Sequence, residues 1–460
     1  MRKPDQMNQK EKVEYMLREP VPRLICQMSV PTIISMLITS FYNMADTFFV
    51  GRINTQATAA VGLVFSVMAF IQAVGFLFGH GSGNYISRKL GAGEFQDANV
   101  MAANGFFCAF GMGILLAAAG TLFLDPLAKL LGSTPTILPY TRSYLRFILL
   151  GAPFMMSSLV LNNQLRYQGN ASFAMAGIVT GAALNICLDP FFIFACGMGV
   201  AGAALATAVS QAVSFSLLLI GSRRGANIRI RFGNLRPTPY YMKEILRGGL
   251  PSLCRQGLAS VAQVFLNQAA GFYGGINGDA AIAGMSIVGR ISMFANAALI
   301  GFGQGFQPVC AMNYGGKKYR RVREAFAFCV KCAVVFLILV SVSGLIFARP
   351  LVSLFRKEDP AVARIGTLAL RLQCLAFPLN SWILLCNMML QSIGKAAKAS
   401  ILAAARQGLF FLPLIWILPR VFGLLGVQMC QTWSDLCTFA LSVPLGVSVL
   451  KEMKNADSAA

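Results

Sequence analysis

Histidine is nearly absent from this chain. His80 is the only one, which argues against a His-built metal centre or a Ser–His–Asp triad. Charge is scarce as well. Only 12% of the 460 residues are charged, about half the roughly 25% of a soluble globular chain. Strand-like alternation is missing, so a β-barrel is not expected. No G-x-x-x-x-G-K-[ST] occurs, which removes the usual nucleotide cradle and leaves an ion gradient as the energy source. Cys329 and Cys332 form a C-x-x-C, but no second pair stands near to complete a zinc site. No enzyme activity is expected, no cofactor and no metal beyond Na⁺. Residues 1–19 are polar and charged, so no cleavable secretory signal is expected.

What is present in excess is apolar length. Hydrophobic residues make up 56% of the chain and gather into twelve segments between residues 25 and 449, each long enough to span a bilayer as helix. The expectation is an all-α polytopic membrane protein. An even number of spans puts both termini on one side. Arg2, Lys3, Arg88, Lys89, Arg166, Arg223, Arg224, Lys317 and Lys318 fall in loops of one set, against Arg52, Lys129, Arg356 and Lys357 in the other. That bias places both termini in the cytoplasm. The net charge of +22 then reads as basic residues facing anionic membrane lipid, with no nucleic-acid partner.

The basic stretch 222–250 divides the chain into halves. The expected order is a tail (1–24), an N-lobe of six spans (25–221), a cytoplasmic linker loop (222–250), a C-lobe of six spans (251–449) and a second tail (450–460). The halves look like repeats. Gly79-His80-Gly81 is echoed by Gly303-Gln304-Gly305, Asn162 by Asn387, and Gly199 by Gly423, at offsets of 224 or 225. Six-helix repeats of equal parity are related by an axis along the membrane normal, and duplicated halves around a central cavity are the build of a transporter.

The acidic residues break this symmetry. Asp46, Asp189 and Asp435 lie inside apolar segments, where a carboxylate is costly and by default functional. Asn185 and Asp189 share one helical face. Pro190 lacks an N–H and clashes with the carbonyl of Ile186, so a kink is expected there. Asp46 falls at similar depth on the first span. Two carboxylates in one low-dielectric site do not both stay ionised cheaply, so the pair, with Asn185, reads as a site for H⁺ or Na⁺. The repeat equivalents of Asp189 and Asn185 are Leu414 and Phe410, and Asp435 answers to Gln211. Asn43, Asn162, Gln211, Gln256, Gln263, Asn267, Gln307 and Asp435 are candidates for a polar cavity wall. Among 21 Met and 35 Phe, those facing such a cavity would suit aromatic cations.

Taken as an ordered set, Pro31, Asp46-Thr47-Phe48-Phe49-Val50-Gly51, Leu90-Gly91-Ala92-Gly93, Asn185-Ile186-Cys187-Leu188-Asp189-Pro190, Gly199-Val200-Ala201-Gly202 and Gly303-Gln304-Gly305-Phe306-Gln307-Pro308 resemble the MATE (multidrug and toxic compound extrusion) family, within it the MepA-like and DinF-like bacterial branch. The resemblance covers nearly the whole chain. It implies twelve transmembrane helices in two pseudo-twofold-related bundles around a central cavity. It also implies a monomer in the bacterial inner membrane that exports small organic cations, drugs and dyes, in exchange for H⁺ or Na⁺. It carries the ion site onto Asp46, Asp189 and Asn185, with Thr207 and the backbone near Ala203 beside them. The family's other branch has acidic residues on the seventh and eighth helices, where this sequence has Gln and Asn. A lipid-linked oligosaccharide or lipid-precursor flippase of the same superfamily is the competing reading.

Overall fold

The computed structural model describes residues 7–223, 227–355 and 359–458. Of the loop charges named above, Arg2, Lys3, Arg224, Arg356 and Lys357 lie outside the described residues. The regular structure is all helix, with no strand among the described residues. A short amphipathic helix, α1 (Gln9–Arg18), comes first, closed at its start by reciprocal hydrogen bonds between Asn8 and Glu11. The first six spans are α2 (Val21–Gly51), α3 (Thr55–Gly91), α4 (Phe95–Leu122), α6 (Leu138–Tyr167), α7 (Ala171–Pro190) and α8 (Val200–Ser222), with the short α5 (Leu124–Leu130) between α4 and α6. The second six are α9 (Pro239–Tyr273), α10 (Gly278–Gly315), α11 (Tyr319–Phe355), α12 (Pro360–Ser392), the broken pair α13 (Ala396–Ala404) and α14 (Phe411–Phe422), and α15 (Leu424–Ser458).

Eleven of these spans, with α13 and α14 as one, are long and apolar enough to cross a membrane. The twelfth is α9, 35 residues long, whose Lys243, Glu244, Arg247, Arg255 and Gln256 dilute its hydropathy. The stretch 222–250 is not loop throughout: Pro239 opens a helix that continues through Pro251, because proline at a first helical position sacrifices no bonded N–H.

The duplication is visible in backbone conformation. Left-handed residues recur at Gly93 and Lys317, Gly169 and Gly394, Gly199 and Gly423, each pair at the repeat offset. Asn162 donates to the Ala174 carbonyl at 2.8 Å, and Asn387 repeats the bond to Ala399 at 2.7 Å. Across the bundles, α2 packs on α10 and α3 on α9, contacts that the pseudo-twofold exchanges.

The first and last described helices, α1 and α15, meet the bundle on one face. Asn313, near the end of α10, donates to the Met16 carbonyl, and Arg323 pairs with Asp457. On this face the bundles touch backbone to backbone. A Cβ on Gly91 would lie 1.9 Å from the Met312 oxygen, and one on Gly315 would lie 1.9 Å from the Arg88 oxygen. Gly81 and Gly249 meet Ile245 and Leu77 just as closely. The Gly-rich stretch 79–83 is thus a packing surface. Cross-bundle hydrogen bonds reinforce it: Ser87 to the Pro308 carbonyl at 3.1 Å, Arg88 to that of Ser392 at 3.0 Å, and Thr32 to that of Gly301 at 2.6 Å.

Gly315→Ala is therefore expected to destabilise the protein by about 1–3 kcal/mol through overpacking. Gly111→Ala, with nothing within 4 Å of its added Cβ, should be neutral or stabilising by up to about 1 kcal/mol. Thermal unfolding of the purified variants checks the pair, and equal behaviour would contradict the contact.

Candidate functional site

Asn170 caps the start of α7 by accepting from the Phe173 N–H at 3.2 Å. From there the helix runs unbroken to Asp189-Pro190 and then widens into a π-turn, Phe191–Ala195, closed by the Cys196 N–H on the Phe191 carbonyl at 2.9 Å. No break falls at Ile186, where the kink was expected; the departure from the α-helix comes after Pro190, in this wide turn. Gly199, with φ +54°, reverses the chain, and Gly202 packs against the π-turn backbone. Gly177 and Gly181 then let α8 lie close along α7, against Leu218 and Ser214. The result sets Thr207 opposite Asn185.

The Asn185 amide donates to Asp189 Oδ1 at 3.3 Å and to Thr207 Oγ1 at 3.4 Å. Both bonds are long, hence weak. Asp189 is 0% exposed and Asn185 2%. Ala203 is fully buried one turn before Thr207. Across from them on α2, Asp46 lies close enough for its charge to act on Asp189, and both carboxylates act on the phenols of Tyr42 and Tyr144. Three oxygens here, Asp46 Oδ1, Asp189 Oδ2 and Asn185 Oδ1, are buried without a hydrogen-bond partner among the described residues. Unsatisfied buried acceptors cost free energy. Hard oxygens left open in one place are the donor set that H⁺ or Na⁺ requires.

The second bundle presents the opposite case. Asp435 on α15 is also 0% exposed, but it is saturated. Arg406 donates to it at 2.7 and 3.3 Å, Gln431 at 2.9 Å and Asn380 at 3.1 Å. Arg406 lies in a second π-turn, Ala405–Leu409, which aims its guanidinium at α15.

A cavity of about 240 Å³ lies between the bundles. Asn185, Thr207, Tyr42 and Gln211 line its N-lobe end, and Gln256, Ser252, Arg255, Gln304 and His80 line the rest. Among the proposed wall residues it takes in Gln211 and Gln256. The others are placed elsewhere. Asn162 is tied to Ala174, Gln307 donates to Gln391, Gln263 donates to Asn267 on the same helix, and Asp435 is held by Arg406. Asn43 is half-buried on α2, outside the lining. Arg166, expected in a loop, is instead 2% exposed. Its guanidinium donates to Gln304 and Asn163 and approaches His80. Gln304 and Asn163 offer carbonyl oxygens inside the fold, and no ion pair holds Arg166 among the described residues. Tyr42, Tyr144 and Arg406 were not singled out from sequence; a tyrosine one turn before Asp46 was the available signal for the first.

The MatE family model matches the chain twice, over residues 31–191 and again over 257–417. The chain belongs to the MATE family. The two MATE matches are one to each six-span bundle, in accord with the duplication seen in the backbone. Multidrug export protein MepA of Staphylococcus haemolyticus (strain JCSC1435) is 29% identical over 447 residues, covering 97% of this chain and 96% of the relative. A MATE crystal structure in complex with MaL6 superposes with a TM-score of 0.90 at 27% identity, covering 96% of this chain and 99% of that one. So does an outward-facing multidrug resistance MATE transporter of the MOP superfamily, with a TM-score of 0.90 at 28% identity, over 96% and 98% of the two chains.

The saturated Asp435 yields a stability prediction. Arg406→Ala strands a buried carboxylate and should cost about 3–5 kcal/mol. Arg406→Ala combined with Asp435→Ala should recover much of that loss. Thermal unfolding of single and double variants measures the coupling; additive losses would show that the pair does not interact.

Proposed function

We propose that this chain is a secondary active antiporter of a bacterial plasma membrane, acting as a monomer with both termini in the cytoplasm. It exports small organic cations in exchange for H⁺ or Na⁺. On this reading 25–221 form the N-lobe and 251–449 the C-lobe, joined through 222–250, with cytoplasmic tails at 1–24 and 450–460. The observation that carries the reading is the set of unpartnered buried oxygens on Asp46, Asp189 and Asn185, beside a cavity that Asn185 and Thr207 also line. Relatives named for multidrug export support the substrate class.

The steps follow from electrostatics. With Asp46 and Asp189 ionised, the N-lobe end of the cavity is negative and attracts a cationic substrate. H⁺ or Na⁺ arriving at these carboxylates neutralises them, weakens the hold on the substrate and relieves their mutual repulsion. The ion drives the change of state only by binding one conformation more tightly than the other. Thr207 and the backbone near Ala203 complete the oxygen set. The π-turn after Pro190 gives α7 a place to bend without breaking a regular ladder.

Asp189→Asn is expected to abolish both dye efflux and counter-ion flux while the protein still reaches the membrane. Ethidium efflux from vesicles, with a pH gradient and a Na⁺ gradient imposed separately, reads both and distinguishes the coupling ions. Full transport by the variant would refute the assignment.

A further inference from the structure

The short helix ahead of the first span touches both bundles. α1 starts on the reciprocal bonds of Asn8 and Glu11 and buries Lys12, Val13 and Met16. A helix leaves its last four carbonyls without partners of its own. Here side chains of the second bundle take them up. Lys318 donates to the Leu17 carbonyl at 3.0 Å, Arg321 to that of Glu19 at 2.5 Å and Asn313 to that of Met16 at 3.4 Å. Arg321 also donates to Asn313 at 2.9 Å, which ties the set together. Two cations at a helix C-terminus suit its dipole as well. Leu17 packs beside Gly316, 3.2 Å from where a Cβ would stand. The same helix rests on the first bundle. Gly169, with φ +84°, makes the turn between α6 and α7, and a Cβ there would lie 3.2 Å from the Met16 sulfur and 3.5 Å from Lys12 Cε. Lys12 Nζ donates to Asn227 at 3.1 Å. That stretch is anchored to the first bundle in turn. Asn227 donates to the Gly221 carbonyl at 3.1 Å, and the Ile228 N–H donates to Gln168 at 2.7 Å.

We propose that α1 is a releasable strap over the face on which the bundles close, anchored to the second bundle and fastened to the first at the Gly169 turn. The proposal rests on the antiport reading above, in which the bundles part on this face. α1 lies outside the residues that the family model matches, so its contacts add to those of the two-bundle frame. The two attachments are unequal. Three hydrogen bonds to backbone carbonyls, two of them from charged donors, hold the second-bundle side. A thioether over a glycine and a hydrogen bond from Lys12 hold the other. A helix of ten residues is a stiff link of about 15 Å. It does not lengthen as a gap widens, so one attachment gives way when the bundles part, and the weaker is the one at Gly169. The Met16 contact is then present in the closed state and absent in the open one, which is the differential contact that biases a two-state equilibrium.

The test follows three distances in the full-length protein in nanodiscs by pulsed electron spin resonance. Spin labels on genetically encoded residues at the exposed positions Lys10 on α1, Gln96 on α4 and Ala397 on α13 leave the twelve native cysteines untouched. The pH and the Na⁺ concentration are varied to populate both states. The Gln96–Ala397 separation is expected to fall into a short and a long population. The label at Lys10 is expected to keep its distance from Ala397 in both and to move away from Gln96 in the long one. A label at Lys10 that stays with Gln96 overturns the proposal without recourse to any change in α1's buried face. Met16→Ala removes the contact with the Gly169 turn and should raise the ratio of long to short population about tenfold or more. Met16→Leu, close in volume, should move it less. An unchanged ratio in Met16→Ala overturns the strap. Either of these failures leaves two separations in place and the antiport reading standing. A single Gln96–Ala397 separation in every chain and condition means that the bundles do not part; it refutes that reading, and the strap falls with it.

Discussion

A carboxylate buried without a cationic partner is the constraint from which the rest of this molecule takes its meaning. Among the described residues Asp189 is fully buried with no cationic partner, its nearest donor is a weakly placed amide, and Asp46 is a second carboxylate in its field. A fold selected for stability alone would not retain that arrangement, because a well-packed apolar pair of similar volume costs less. The chain contains the comparison within itself. Asp435 is buried to the same degree, and there the fold supplies a guanidinium and two amides. One lobe thus carries an open carboxylate and the other a closed one. The closed site has its cation tethered to the chain; on the antiport reading the open site takes one from outside.

This asymmetry is laid over a backbone that is close to symmetric. The left-handed turns, the Asn162 and Asn387 bonds and the exchanged α2–α10 and α3–α9 contacts repeat across the pseudo-twofold. The π-turns do not occupy equivalent places. The first follows Asp189-Pro190, whereas the second carries Arg406, whose repeat equivalent is Gly181 on the cavity wall. On the antiport reading, the duplicated frame supplies two bodies that move against each other, and side-chain divergence gives the ion to one of them. Symmetry in the backbone with asymmetry in the charges is what a device with two states and one coupling site requires.

Most of the frame was legible in the sequence because bilayer spanning imposes a coarse and robust signal of apolar runs about 20 residues long. That Asp46 lies near enough for its charge to be felt at Asp189 is consistent with a related signal: depth along a span is readable from its ends. What failed to show was lateral position. Arg166 follows Asn162, Asn163 and Gln164 at the end of α6, a polar run that looks interfacial, yet its partner Gln304 comes from α10, far along the chain. Arg406 sits in an apolar run beside a glycine-sized repeat equivalent, so neither hydropathy nor symmetry marks it. The start of α9 was obscured by Lys243, Glu244 and Arg247, which read as loop but lie on a helix. The polar wall candidates divided for the same reason. Depth placed them all in the membrane, and only packing separates Gln211 and Gln256, which face the cavity, from Asn162 and Gln307, which bond to neighbouring helices.

The placement of Asn185 and Thr207 bears on how two ligands would compete. These residues flank Asp189 and also form the cavity wall. On the antiport reading, no long pathway is needed between ion and substrate, because the two share side chains. Coupling of a few kcal/mol follows from local electrostatics when a neutralised carboxylate lies behind the same wall that a cation touches. The conformational consequence reaches the other end by a route that is equally short. Gln304 lines the cavity and accepts from Arg166, while His80 lines it and bonds Ser252 across the bundles. Below that layer the glycine contacts of Gly81, Gly249, Gly91 and Gly315 leave no slack between the lobes. An interface packed backbone to backbone has few intermediate arrangements available, so a small change in balance at the wall is resolved by the lobes staying together or parting as bodies.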